Sequence, residues 1–534
     1  VNCAEYRNAP FPDFLCALRV LRGEKKEELM RKIALLVIVL TWLCTAMAAQ
    51  DLASFEKQTT VKTLPNGLTV VISRRPEAPV FSFFTIVDVG SVQDPRDSTG
   101  LAHMFEHMAF KGTEQIGSRD WPAEKVALEK VEQTYAAYTY ERHLPVGGDP
   151  AKVAELEKAW QAAMKDAQRY VIPNQFDEIV ESNGGVGINA RTAEDDTAYF
   201  YSFPVNRLEL WAYLESQRFL NPVMREFYKE RNVVMEERRM RTDSNPIGRL
   251  IEQFQAAAFI AHPYHQPAIG WYSDLQTFSA TDAQRFFDRY YVPSNMVIGI
   301  VGDISAEQAI PIIEKYFGQL PTRPKPEEIT TVEPPQNAER RVVLREASQP
   351  FYVEAYHRPD YRDPDDAVFD AITDIMSNGR VSRLYRALVR DRKIAAEAAG
   401  FTGLPGIKYP HLFAFYAVPT PGHTPQELAD GIHAEIDRLK SGYVSDEELQ
   451  MFRTRAKADL IRSLSDNEGL ATELATTQLR YGDWREMFRQ LDRYDKVTKE
   501  DIKRVANKIF VPENRTVGVL ETDTTAAPAQ GGAQ

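Results

Sequence analysis

Nine residues near the middle of the chain recur near its end, and this narrows the possible folds more than any other feature. Tyr291-Val-Pro-Ser-Asn295-Met-Val-Ile-Gly299 returns as Phe510-Val-Pro-Glu-Asn514-Arg-Thr-Val-Gly518, 219 residues later. That interval is the length of a domain rather than of a solenoid repeat. Each copy follows a helical pattern opened by a Thr with acidic company, Thr281-Asp282 in one and Thr498-Lys-Glu-Asp501 in the other. Between them Pro321-Thr-Arg-Pro-Lys-Pro-Glu-Glu-Ile-Thr-Thr-Val-Glu-Pro-Pro335 reads as a charged, Pro-rich linker, taken as 321–337. At 534 residues the chain is long enough for two to four domains with full cores. The expected architecture is two copies of one α/β (α+β) domain, about 50–320 and 338–522. Each copy is a mostly antiparallel sheet packed with helices, and 523–534 form a disordered tail.

From Met30 the sequence reads as a secretory signal. Arg31 and Lys32 precede the apolar run Ile33 to Leu43, and Ala46-Met47-Ala48 supplies a small-residue cleavage site. Residues 1–29 lack such features and read as an over-extended start, with Met30 the true one. The apolar run is eleven residues long, too short to span a bilayer. Glu24, Glu27 and Glu28 are out of place in a mitochondrial presequence, and Leu43-Cys44 lacks the small residue expected before a lipidated Cys. The expected mature chain is periplasmic or secreted, with no stable membrane anchor. All three cysteines, Cys3, Cys16 and Cys44, precede the cut, so any metal in the mature chain must be held by His and carboxylate. Without residues 1–48 the chain keeps 57 Lys and Arg against 71 Asp and Glu, a net charge of −14, and nothing suggests a nucleic-acid surface.

Gly67 to Ser73 and Val80 to Val89 are strand-like. They precede Gly100-Leu-Ala-His103-Met-Phe-Glu106-His107, an HxxEH pattern that Lys111-Gly112 brings to a close. On a helix, positions four apart share a side, so His103 and His107 can clamp one ion while Glu106 stands beside it. This reversed form of HExxH is a zinc-peptidase signature. A catalytic zinc takes three protein ligands and keeps a place for water, so a third ligand must come from elsewhere. Glu230-Arg-Asn-Val-Val-Met-Glu236-Glu237 offers one, within a helix expected over about 226–241. Positions 230, 233, 234 and 237 share a face, with Val233 and Val234 expected to anchor it in the core. Glu237 is the better ligand, Glu236 is rotated away, and Glu230 is placed to orient a ligating imidazole. Residues 121–143 and 151–171 read as an antiparallel helical hairpin, an insertion at about 120–172. His262 and His265 lie in a Pro-containing loop and read as structural, while His143, His357, His411, His423 and His433 show no ligand spacing.

Together with Gly90-Ser91, Thr99, Lys111-Gly-Thr113 and the glycine-rich stretch ending in Asn189-Ala190-Arg-Thr192, these motifs resemble the insulinase/pitrilysin family of zinc peptidases, in its bacterial processing-peptidase-like branch. The resemblance covers nearly the whole mature chain. It implies one zinc on His103, His107 and Glu237, Glu230 as the supporting acid, and Glu106 as general base. It also implies half of a clamshell peptidase, with a peptide substrate pairing as a strand near Asn189, Ala190 and Thr192. Two departures stand out. Between His107 and Glu237 lie 129 residues, longer than the family's usual gap by the length of the hairpin. The second half keeps Ser382-Arg383-Leu384-Tyr385 but has Val389 and Ala396 where self-sufficient members carry an Arg and a Tyr that hold the substrate. A shift of one residue could enlist Arg390, yet the next Tyr is Tyr409. The expected protein is thus the metal-bearing subunit of a heterodimeric endopeptidase whose homologous partner supplies the Arg and Tyr. The rivals are an active homodimer and a non-catalytic, peptide-binding subunit.

Expressed from Met30 in a bacterium, the protein should leave the cytoplasm with its N-terminus at or near Ala49. N-terminal sequencing that recovers residues 30–48 intact refutes the cleavage.

Overall fold

Why the repeated segment recurs becomes plain in the computed structural model, which describes residues 52–145 and 147–523. The signal-like stretch, the cysteines and the residues from 524 onward lie outside that range. Leu52–Gln58 forms a short helix.

The repeat marks a central strand in each of two sheets. The first sheet contains β1 (Thr59–Thr63), β2 (Thr69–Arg74), β3 (Val80–Val87), β4 (Val186–Thr192), β5 (Thr197–Pro204) and β6 (Met296–Gly302), in the order β1-β2-β6-β3-β5-β4. The second contains β7 (Arg340–Glu346), β8 (Phe351–Arg358), β9 (Ala395–Leu404), β10 (His411–Pro419) and β11 (Arg515–Thr522), in the order β7-β11-β8-β10-β9. Without β1 the two orders are the same, strand for strand. In each sheet the repeat strand makes the parallel pair, β2 with β6 and β7 with β11, and the remaining pairs are antiparallel. The chain is therefore two homologous, mostly antiparallel sheets packed with helices. β3 reads Val-Phe-Ser-Phe-Phe-Thr-Ile-Val and is buried from Phe81 on, as a strand covered on both faces must be.

What covers the second face of each sheet was not legible in the sequence. The helix Pro246–Ala258, from the first half, packs on β7 and β11, whereas Asn467–Tyr481, from the second half, packs on β3 and β6. Leu250, Phe254 and Ala258 share one core with Val353, Leu412, Ala414 and Leu520. The last residue of each repeat copy makes the exchange possible. A Cβ on Gly299 would lie 2.3 Å from the carbonyl oxygen of Ala471, and one on Gly518 would lie 3.0 Å from Phe254. Only a residue without a side chain lets a helix approach a strand so closely.

The helices before the two repeat copies begin at capping boxes. The second is opened by Thr498 with Asp501, as expected. The first is opened by Ser279, not Thr281, because the box needs a spacing of three to its acid, Asp282. The Pro-rich stretch carries no helix or strand but is tied down at several points. The Glu333 carboxylate accepts the N–H groups of Ile260, Ala261 and His262, each at 2.9 Å, and the Gln336 amide donates to the Arg515 carbonyl at 2.7 Å.

Gly299→Ala should lower stability by about 1–3 kcal/mol, because the added methyl must push Asn467–Tyr481 off the sheet. Urea unfolding indistinguishable from the wild type would show that the contact yields freely.

Candidate metal centre

The motif helix spans Leu101–Met108 and buries Leu101, Ala102, Met104, Phe105 and Met108, which leaves His103, Glu106 and His107 on its open side. Its start is fixed by two residues. Gly100 adopts φ +93°, and a Cβ there would meet the Ile269 carbonyl at 2.6 Å. Asp94 accepts the N–H groups of Gly100 at 2.7 Å and Ala102 at 2.8 Å, satisfying donors that every helix start leaves free. Asp94 escaped the sequence reading because it sits too far upstream to match a capping box.

The two imidazoles stand edge to face with centroids 4.9 Å apart. Nε2 of His103 lies 3.7 Å and Nε2 of His107 lies 3.6 Å from the same oxygen, Oε2 of Glu237. Among the described residues, His103, His107 and Glu237 are the group whose potential ligand atoms converge, all within 4.8 Å of one another. Glu237 comes from the helix Phe227–Arg238, shorter than expected because Arg239–Asp243 continues in π-helical form. That helix buries Phe227, Tyr228, Arg231, Val234 and Arg238. Val233 is 47% exposed, against the expectation that it anchors the core. The face shared by Glu230, Val233 and Glu237 opens toward the site, and the core stripe runs beside it. Glu236 points outward to Arg239.

Glu230 bridges two partners. Its Oε1 lies 3.2 Å from His107 Nδ1, and its Oε2 is 2.7 Å from Lys111 Nζ. Burial works against its charge, but His107 and Lys111 outweigh it and hold the carboxyl down at about 2. Burial likewise opposes a proton on His107, yet the hydrogen bond to Glu230 and the Glu237 carboxylate 3.6 Å away push it up to about 9. Burial, and then His107, bring His103 down to about 4, which favours the neutral ring with one nitrogen unprotonated. His103 Nδ1 is buried with no hydrogen-bond partner, and its Nε2 is too far from Glu237 for a hydrogen bond. Two imidazoles and one carboxylate, with a second carboxylate on the free nitrogen of one imidazole, are a donor set that fits zinc.

Glu106 is half-buried. Burial raises its pKa, and a hydrogen bond from the Thr192 side chain works the other way. Thr192 ends β4, the outer strand of its sheet, paired on one side with β5 and with no strand on the other among the described residues. Asn189 and Ala190 lie on the same strand, where Asn189 Oδ1 accepts the Ala190 N–H at 2.9 Å. The structure brings His103, His107, Glu230 and Glu237 together, with Thr192 beside Glu106, while Asn189 and Ala190 lie further along the same strand as Thr192.

The helical hairpin is a prop for this arrangement. Its helices, Trp121–Arg142 and Pro150–Ala167, pack against the helix that carries Glu230 and Glu237. The Arg231 guanidinium lies over the Tyr135 and Tyr228 rings and donates to the Tyr135 hydroxyl at 2.6 Å. Arg225 is fully buried, bonded at 2.8 and 3.1 Å to Glu124 of the hairpin and at 2.7–2.9 Å to the carbonyls of Lys111, Thr113 and Ile116, just past the motif helix. His262 and His265 are engaged with their own loop: His262 Nδ1 takes the Tyr264 N–H and His265 Nδ1 bonds the His262 carbonyl.

In the second half, Asp366–Ser377 follows β8 as the motif helix follows β3. Matching Gly379 to Gly112 sets Asp370 and Asp374 where the imidazoles stand in the first half. Both are spent on protein partners: Asp370 accepts the Tyr494 hydroxyl at 2.9 Å, and Asp374 accepts from Arg455 at 3.1 Å and Asn378 at 2.6 Å.

Comparison with known proteins gives the same picture. Residues 69–144 match the family described as insulinase (peptidase family M16), and residues 277–456 match the peptidase M16 inactive domain. The chain belongs to the insulinase family of peptidases. It is 28% identical to the zinc protease PqqE of Helicobacter pylori over 503 residues, 92% of this chain and 98% of that one. It is 22% identical to a probable mitochondrial-processing peptidase subunit beta of Arabidopsis thaliana, covering 87% of this chain and 78% of the relative. Among solved structures, a protease from Helicobacter pylori superposes with TM-score 0.72 at 26% identity, covering 87% of this chain and 99% of that one. The first half of the periplasmic protease PqqL from Escherichia coli shares the fold, with TM-score 0.64 at 18% identity over 87% of this chain and 92% of that one. The inactive-domain match falls largely on the half in which aspartates replace the imidazoles.

Glu124→Gln strips the charge that neutralises a buried guanidinium, so it should cost about 3–5 kcal/mol of stability. Denaturant unfolding that shows a loss below about 1 kcal/mol would mean that the carbonyls alone hold Arg225.

Proposed function

We propose that this insulinase-family chain is an exported zinc endopeptidase, the metal-bearing subunit of a heterodimer acting on peptides or unfolded segments. The observation that carries this reading is the convergence of both Nε2 atoms on Glu237 Oε2, with Glu106 on the same open helix face. His103, His107 and Glu237 hold one zinc per chain, and Glu230 orients His107 through Nδ1. When bound, zinc polarises a peptide carbonyl and makes a water acidic at neutral pH.

The chain's own residues do the rest. Glu106, its basicity raised by burial, takes a proton from the attacking water and returns it to the leaving amine nitrogen. Thr192 offsets part of the burial that raises the carboxyl's pKa. The substrate lies as an added strand along the open edge of β4, at Asn189, Ala190 and Thr192.

What this chain lacks favours a second subunit. Val389 is half-buried and Ala396 is exposed on β9, and neither side chain offers a hydrogen-bond donor. The shifted candidate Arg390 is paired with Asp391, and Tyr409 is buried with its hydroxyl engaged by the Ile329 N–H and Glu328. The Arabidopsis relative is named as one subunit of a peptidase, and whole PqqL, about twice the length of its first half, is described as periplasmic. Among the described residues of this chain no helix is long and apolar enough to cross a membrane.

Metal analysis and a peptidase assay test the reading. Glu106→Gln should keep its zinc and lose at least about 100-fold in turnover. The chain alone should be about 100- to 1000-fold slower than with a homologous partner that carries the Arg and Tyr. Absence of zinc uptake removes the metal assignment, and full activity of the isolated chain removes the heterodimer.

A further inference from the structure

Three arginines follow the third ligand in Glu237-Arg238-Arg239-Met240-Arg241, and helix geometry sorts them. Arg238 turns inward, to Glu252 at 2.7 Å and to the Gly270 carbonyl at 2.7 Å. Arg239 turns outward, to Glu236. Arg241 stands one turn beyond Glu237 with its Nη1 2.7 Å from Glu237 Oε1. The ligand carboxylate is thereby divided. Oε2 faces both imidazoles at 3.7 and 3.6 Å, and Oε1 belongs to the guanidinium.

An ordinary surface pair at this spacing contributes little to stability. Here the carboxylate's second oxygen carries a consequence. A carboxylate can bind a cation through one oxygen or through both. Binding through both takes up room that a three-ligand zinc site keeps for water. The Arg241 side chain is 72% exposed and that of Glu237 is 17% exposed, so the guanidinium holds Oε1 from the solvent side while Oε2 stays turned inward. Resting on the assignment of His103, His107 and Glu237 as zinc ligands, we propose that Arg241 is a positioning residue that keeps Glu237 a one-oxygen ligand. Its ion pair at 2.7 Å holds the carboxylate by that oxygen and withholds Oε1 from the metal.

The test compares the wild type with Arg241→Gln, Arg241→Lys and Arg239→Gln, each stripped of metal and reloaded with Zn²⁺ or Co²⁺. Zinc affinity is read by competition with a coloured chelator, and coordination number from the visible absorption of Co²⁺. Arg241→Gln should weaken zinc binding by about tenfold and lower the Co²⁺ band intensity as coordination rises from four toward five. Arg241→Lys, which keeps the charge, should recover much of both. Arg239→Gln should change neither, since its partner is Glu236. The proposal is overturned if Arg241→Gln matches the wild type in both readouts, or if Arg239→Gln reproduces its effect. Glu237→Gln separates this from the reading beneath it: zinc binding that survives that change unaltered means that Glu237 is no ligand, and the metal assignment fails instead. Circular dichroism on each variant confirms that the exposed substitution leaves the fold in place.

Discussion

The site depends on the burial of one positive charge. Arg225 has no access to water, so its guanidinium must be answered inside the protein, and the groups that answer it come from two separate places. Glu124 comes from the inserted hairpin, and three carbonyls come from the turn that leaves the motif helix. Arg225 itself sits just before the helix that carries Glu230 and Glu237. Because an unanswered buried charge is so costly, these segments are locked in one arrangement, and Glu237 meets the two imidazoles as a result.

Much of the site could be read directly because its chemistry is local. His103, Glu106 and His107 share one turn, and the spacing of Glu230 and Glu237 placed both on one face. The role of the hairpin was not legible, since Arg225 and Glu124 are 101 residues apart and nothing in either neighbourhood names the other. Val233 was misplaced for a related reason. Periodicity shows that a helix has faces, but a valine on an exposed face beside the site reads the same as one that enters the core. Lys111 did carry a signal, four residues beyond His107, although spacing alone does not say that it answers Glu230.

The fold was legible in outline through the repeat, and its limit was the same kind of non-locality. Gly299 and Gly518 close the two copies, and the repeat alone gives no reason for a glycine at either place. Gly299 accepts the helix backbone at Ala471 and Gly518 the Phe254 side chain, each from the opposite half, which only the assembled chain reveals. The second half keeps the fold of the first without its imidazoles. Asp370 and Asp374 occupy a helix with the burial pattern of the motif helix, but their carboxylates are committed to Tyr494, Arg455 and Asn378.

The exchange of helices between the sheets makes the molecule a single inheritance. A cut within the Pro-rich stretch would release two fragments, each with one sheet face bare and one helix stranded without a sheet, so neither could be passed on or recombined as a module. Evolution of such a chain is confined to the walls of its cavities. Side chains there are free to change their trade, whereas the strands and helices behind them must be kept in both halves together.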